Sequence, residues 1–195
     1  MSEEILKALM QLFGIITKQD GGVTEKERLY VERFLIQQIS LDLVKEYLDL
    51  YEKQADWGIE KKEGEKQKLT SVKDSVRTLA ICKKINKTLS QKQKVIVLIR
   101  LFELLKSDNN FTDQRVAIID TASEVFNIEK SIHDLIETFV VKDDIKSLAN
   151  NDILLVTKNK TIEGQEESKH IQSYDLDGYI AILHIQSVDM YFLKY

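Results

Sequence analysis

Few residues in this chain have a type and spacing that could do chemistry. Asp20 and Glu27 lie in LFGIITKQDGGVTEKERLYVERFL, residues 12–35, on either side of a Gly21-Gly22 turn. Together with Asp108 they are the candidate oxygen ligands for a hard divalent cation, the one cofactor these residues could take. The same residues also carry a purely structural reading. Glycine reaches positive φ without steric cost, so Asp20-Gly21-Gly22 stops a helix. Thr24-Glu25-Lys26-Glu27 is a capping box: the Thr24 hydroxyl accepts from the Glu27 amide, and the Glu27 carboxylate reaches back to the Thr24 N–H. For Asp20 and Glu27 the turn and cap roles take precedence over the metal.

The other reactive types stand apart from one another. His133, His170 and His184 have no His-x-x-x-His or Glu-x-x-His spacing, which argues against zinc. Cys82 falls on the apolar face of a helical stretch and is expected to be buried and unreactive. Ser173-Tyr174-Asp175-Leu176-Asp177-Gly178 hints at a calcium loop, but His184 stands where an EF-hand needs glutamate, so a β-turn is expected. No G-x-x-x-x-G-K-[ST] loop is present to cradle nucleotide phosphates. With no catalytic constellation in view, the chain is expected not to be an enzyme.

The elements that must position these residues are mostly helical. Residues 2–18 and 25–39 flank the acidic turn, and Leu41, Val44, Tyr47, Leu48 and Tyr51 continue at helical spacing after Ser40. Residues 56–68, DWGIEKKEGEKQK, read as a charged surface loop, with Trp57 tucked onto the bundle. From Thr70 to Leu89, Val72, Val76, Leu79, Ala80, Cys82 and Ile85 are expected to share one buried face. Lys83, Lys84, Lys87, Lys92 and Lys94 form a basic cluster: a solvated face first, a contact for an anionic partner or membrane surface second. Ser90-Gln91-Lys92-Gln93 is another capping box, and the near-continuous apolar run behind it suits the centre of a bundle.

A degraded copy of the opening unit then appears. Asp108-Asn109-Asn110-Phe111-Thr112-Asp113 matches Asp20-Gly21-Gly22-Val23-Thr24-Glu25 in kind, and helices over about 113–126 and 129–140 follow it. After Asn150 the period becomes alternating. Strands are expected at 153–157, 179–186 and 188–195, a small antiparallel sheet whose apolar last strand reads as the start of an incomplete domain and a possible edge for homodimerisation. The expected organisation is an all-α bundle over 1–150 and a β-rich segment over 151–195, hence an α+β class, mainly α.

The bulk numbers agree with a soluble cytoplasmic protein. The 195 residues are 43% hydrophobic and 31% charged. The formal charge of -4 gives no general reason to bind nucleic acid. The single cysteine excludes an internal disulfide, and no apolar run reaches membrane-spanning length.

The pattern Asp20, Gly21, Val23, Glu27 in a duplicated helical unit resembles the tellurite-resistance TerB family over roughly residues 1–150. Residues 71–105 and 175–195 are similar to the front end of Bacteroidetes ABC-transporter-type ATP-binding proteins. In that family a TerB-like region precedes a forkhead-associated-like β segment, then an ATPase and a membrane part. The resemblance implies a non-catalytic regulatory or docking module whose partners are those ATPase and membrane parts. The rival reading is a divalent-metal-binding stress sensor using Asp20, Glu27 and Asp108. The second copy departs from the pattern: Asn109 replaces the glycine and Arg115 the glutamate. Arg115 removes a ligand and instead suits an ion pair with Asp20 or Glu27 across a pseudo-twofold.

Overall fold

The computed structural model describes residues 3–19, 22–58, 72–142, 144, 153–156, 179–183 and 190–194; in the three strands and at Glu4, Val72, Lys73 and Asp74 the description is of backbone alone. Seven α-helices run in order: α1 Glu3–Thr17, α2 Glu25–Gln38, α3 Leu41–Ala55, α4 Val72–Thr88, α5 Gln91–Asp108, α6 Asp113–Val125 and α7 Lys130–Val140. Their starts follow from local chemistry. Thr24 and Ser90 each close a full capping box, with Glu27 and Gln93 as the returning side chains. Thr112 caps α6 through the Arg115 amide. Ser40 precedes α3 without a side-chain cap bond. α5 ends at Asn109 with φ 60°, a left-handed position that asparagine tolerates better than other side chains, which is how the second copy manages without glycine there.

α1 packs along α3 and also meets α4, α5 and α6; α2 packs on α3 and α5, while α5 also carries α6 and α7. The α1–α3 crossing is close because Gly14 faces Gln54. A Cβ at Gly14 would stand 2.7 Å from Gln54 Cβ and 3.0 Å from the Ala55 backbone nitrogen. The pairing of α1 with α3 is repeated by α5 with α7, and the contact of α2 on α5 by that of α6 on α1. The core consists of α1 residues such as Leu9, Leu12, Phe13 and Ile16, and α5 residues such as Leu98, Leu101, Leu104 and Leu105, all fully buried. α5 is therefore central, as its apolar run requires.

The α+β class with a forkhead-associated-like segment is corrected. Met1–Asp143 forms one unit, and its described elements are helices alone. Within Met1–Asp143 the buried side chains described belong to these helices or their turns. The extended pieces, β1 Ile153–Val156, β2 Tyr179–Leu183 and β3 Met190–Lys194, are four or five residues each and lie in a separate unit, Asp144–Tyr195. The helices of Met1–Asp143 pack on one another, so the class of that unit is all-α. Within that unit the order is β1-β3-β2, antiparallel throughout, so β3 is hydrogen-bonded on both sides. The break between the units falls between Asp143 and Asp144.

The buried face of α4 also differs from the sequence reading. Val76, Leu79 and Ala80 are exposed. α4 instead buries Thr78, Ile81, Cys82 and Ile85, with Leu89 buried just past its end. Its apolar residues spread around more of the circumference than one stripe, and packing against α1 and α6 selects the Ile81–Ile85–Leu89 side. Trp57 is half-buried, with the Arg28 guanidinium 5.8 Å above its ring. Among the described residues no helix is long and apolar enough to cross a membrane.

Candidate functional site

The turns of the two repeats meet at Arg115. Thr24 and Thr112 are equivalent N-caps, and three residues later stand Glu27 and Arg115, each at the third position of its helix. The repeat relation brings these opposite charges together. Arg115 Nη1 donates to Glu27 Oε1 at 2.8 Å and to Asp108 Oδ2 at 3.4 Å. Arg115 Nη2 donates to the carbonyl oxygens of Thr17 at 3.0 Å, Gln19 at 3.4 Å and Gly22 at 3.5 Å. The guanidinium thus gathers the orphan carbonyls where α1 ends. Arg115 and Glu27 are 0% exposed and the Asp108 side chain 4%. Arg115 Nε, also buried, has no partner among the described residues.

Glu27 is held from both sides. Its Oε2 accepts from the Thr24 backbone N–H at 2.8 Å and the Thr24 hydroxyl at 3.1 Å. That hydroxyl also lies 3.5 Å from Asp108 Oδ2, while Asp108 Oδ1 accepts from the Asn110 N–H at 3.1 Å. A carboxylate at the start of α2 is favoured by the helix dipole, whereas a guanidinium at the start of α6 is not. Arg115 is held there by its two carboxylates. Among the described residues the cluster carries two carboxyl groups against one guanidinium, and all three side chains are buried. Burial pushes the Glu27 carboxyl from its ordinary 4.5 up to about 7, against the lowering pull of the Thr24 N–H and Arg115, and Asp108 adds to the rise.

Of the three candidate ligands, Glu27 and Asp108 therefore meet on Arg115, and Asp20 lies outside the described residues. Among the described residues no group of three or more His, Cys, Asp or Glu side chains is placed to hold a metal ion. Cys82 is buried, and burial pushes its thiol up to about 12, so it is a weak nucleophile. His133 lies between Asp120, 3.2 Å from Nε2, and Asp134, 3.3 Å from Nδ1, with the Phe102 ring edge-on. His170, His184 and the turn at 173–178 lie outside the described residues.

A second polar cluster has no counterpart in the sequence reading. Tyr30 Oη donates to Glu103 Oε2 at 2.8 Å, and Arg100 Nη1 donates to the same oxygen at 2.7 Å. Arg100 also lies 5.9 Å over the Phe34 ring, so the group ties α2 to α5. The signal available was weak: Arg100 and Glu103 are three apart on one helix, but their partner is 70 residues away. For Arg115 the signal was stronger, since opposite charges occupy equivalent positions in the two repeats.

Replacing Arg115 by methionine strands two buried carboxyl groups. The unfolding free energy is expected to drop by about 3–5 kcal/mol in denaturant titration. The loss should be larger above the Glu27 pKa of about 7 than well below it, where Glu27 takes up a proton. The sign for the wild type follows from linkage. A carboxyl whose folded pKa exceeds its unfolded one binds protons better in the native state. Its contribution is full below about 4.5 and is lost as pH rises through about 7. Relative to Glu27→Gln, which cannot titrate, the wild type should lose stability across that interval; parallel pH profiles would contradict the assignment.

No family model matches this chain, and no curated protein or solved structure matches it either.

Proposed function

We propose that this chain is a non-catalytic docking or regulatory module of the TerB-like type, acting in the cytoplasm on the ATP-binding part of an ABC transporter. The observation that supports docking over cation sensing is the filled acidic turn. Arg115 occupies the position between Glu27 and Asp108 that a divalent cation would need, and it already satisfies the nearby carbonyls. A cluster closed in this way makes a rigid body. Outside it, Ile36, Leu41 and Leu43 are exposed where α2 turns into α3, with Leu41 74% exposed. Covering side chains of this size yields about 1.5–3 kcal/mol each, enough to serve as an anchor for a protein partner. The link to an ABC-type ATPase rests on the resemblance of residues 71–105 and 175–195. Such a module can bias an ATPase only by binding its nucleotide states with different affinity.

Immobilised chain is expected to retain an ABC-type ATP-binding protein from the same cells, more tightly in one of the ATP- and ADP-loaded states. Leu41→Asp should leave stability within about 0.5 kcal/mol while weakening retention by about tenfold or more, the effect of losing an interface hot spot. No retention in either nucleotide state would overturn the proposal.

The excess carboxyl group in the Arg115 cluster favours a second reading, a divalent-cation sensor in which Asp20 joins Glu27 and Asp108. Calorimetric titration of Ca²⁺, Mg²⁺, Mn²⁺ and Zn²⁺ into chelator-stripped protein separates the two. Under the docking reading no saturable heat is expected. Saturable heat that vanishes in the Asp20→Ala/Glu27→Ala variant would promote the sensor.

A further inference from the structure

The solvent face of α4 has a charge pattern unlike the rest of the chain. Residues 75–94 carry six basic side chains and no acidic one. The whole chain has a formal charge of -4, so taking away this +6 leaves -10 on the remainder. Lys83, Lys84, Lys87 and Lys94 enter no ion pair among the described residues. The opposite side of α4 is fixed in the bundle through Ile81, Cys82 and Ile85, so Lys83, Lys84 and Lys87 cannot turn inward with the helix.

The same face begins apolar. Val76 is 61% exposed and Leu79 37%, and Ala80 beside them is exposed as well. Positions 76, 80, 83 and 87 follow the helical repeat and make one stripe, flanked by Leu79 and Lys84. At 1.5 Å per residue, Val76 to Lys87 spans about 16 Å. The stripe is apolar at the N-terminal end, with exposed Arg77 on its Lys84 side, and cationic at the C-terminal end, on a convex surface.

From this arrangement we propose that the outer face of α4 docks on an anionic lipid surface, with Val76 and Leu79 entering the interface and Lys83, Lys84 and Lys87 lying among lipid phosphates. The length and the charge type select this occupant. A single small anion cannot touch charges spread over about 16 Å, whereas a layer of headgroups can. Carboxylates of a protein partner are best gripped by the forked guanidinium group, and the charged end of the stripe holds only lysines, which act as point charges with apolar stems. A convex helix bearing exposed valine and leucine needs a matching groove on a protein, but no preformed shape in a fluid bilayer. The remainder of the chain carries a formal -10, so residues 75–94 are the stretch whose charge complements an anionic membrane. This contact uses a different helix from the Leu41 anchor, so the two fail separately.

The test is sedimentation of the full chain with vesicles of phosphatidylcholine, alone or with about one third phosphatidylserine. Binding is expected only with phosphatidylserine present, falling steeply with added salt. At about 1 kcal/mol per lysine near such a surface, Lys83→Gln/Lys84→Gln/Lys87→Gln should lower partitioning on the order of 100-fold. Val76→Ser/Leu79→Ser should lower it by about tenfold through lost apolar burial. All five positions are exposed, and unchanged helical circular dichroism verifies that the variants fold. Absence of binding to phosphatidylserine vesicles, or binding that either variant leaves unchanged, would overturn the proposal. Retention on immobilised polyglutamate without vesicle binding would overturn it too, assigning the face to an acidic polypeptide.

Discussion

The buried guanidinium of Arg115 is the constraint to which the helical body is fitted. It reaches the carbonyl end of α1, the third residue of α2, the last residue of α5 and its own place in the first turn of α6. Few single side chains touch that many helix termini. Desolvating an arginine and two carboxyl groups costs several kcal/mol per ion, and their mutual attraction offsets this only with good geometry. The gain lies in register: α1 and α6 cannot slide along their neighbours without separating Arg115 from its carbonyl acceptors. The raised Glu27 pKa expresses the same balance, since the site tolerates one positive charge and resists the second negative one.

Much of the helical order was legible because its signals are local. Capping boxes at Thr24 and Ser90 and the apolar run of α5 each depend on residues within one or two turns. The partnership of Arg115 with Glu27 was legible for a different reason: the repeat makes equivalent positions comparable, so a charge inversion stands out. What was not legible depends on distant packing. Val76 and Leu79 satisfy helical periodicity, yet which side of a helix is covered is decided by neighbours from elsewhere in the chain. The Tyr30–Arg100–Glu103 cluster is of that kind too. The α+β expectation failed because alternation in a short segment reports an extended backbone, while the class of Met1–Asp143 is set by the helices that share its core.

The surface divides its character by helix. Around the α2–α3 junction the exposed groups are leucine and isoleucine among mixed charges, suited to shape-dependent contact. Along α4 and into α5 they are lysines with a short apolar lead, suited to a diffuse field. Exposed substitutions on separate faces that share no partner add independently, so each face can change without the other.

The exchange of glutamate for arginine between the repeats also determines what each repeat can pair with during synthesis. Two copies of the first repeat, docked on each other in the native manner, would set Glu27 against Glu27; two copies of the second would oppose Arg115 with Arg115. Either arrangement buries like charges. The first repeat emerges from the ribosome well before residue 115 exists, at a stage when incomplete chains on neighbouring ribosomes are prone to associate. Its partner-seeking surface is then electrostatically closed to its own kind, and becomes satisfiable only when the second half of a chain arrives.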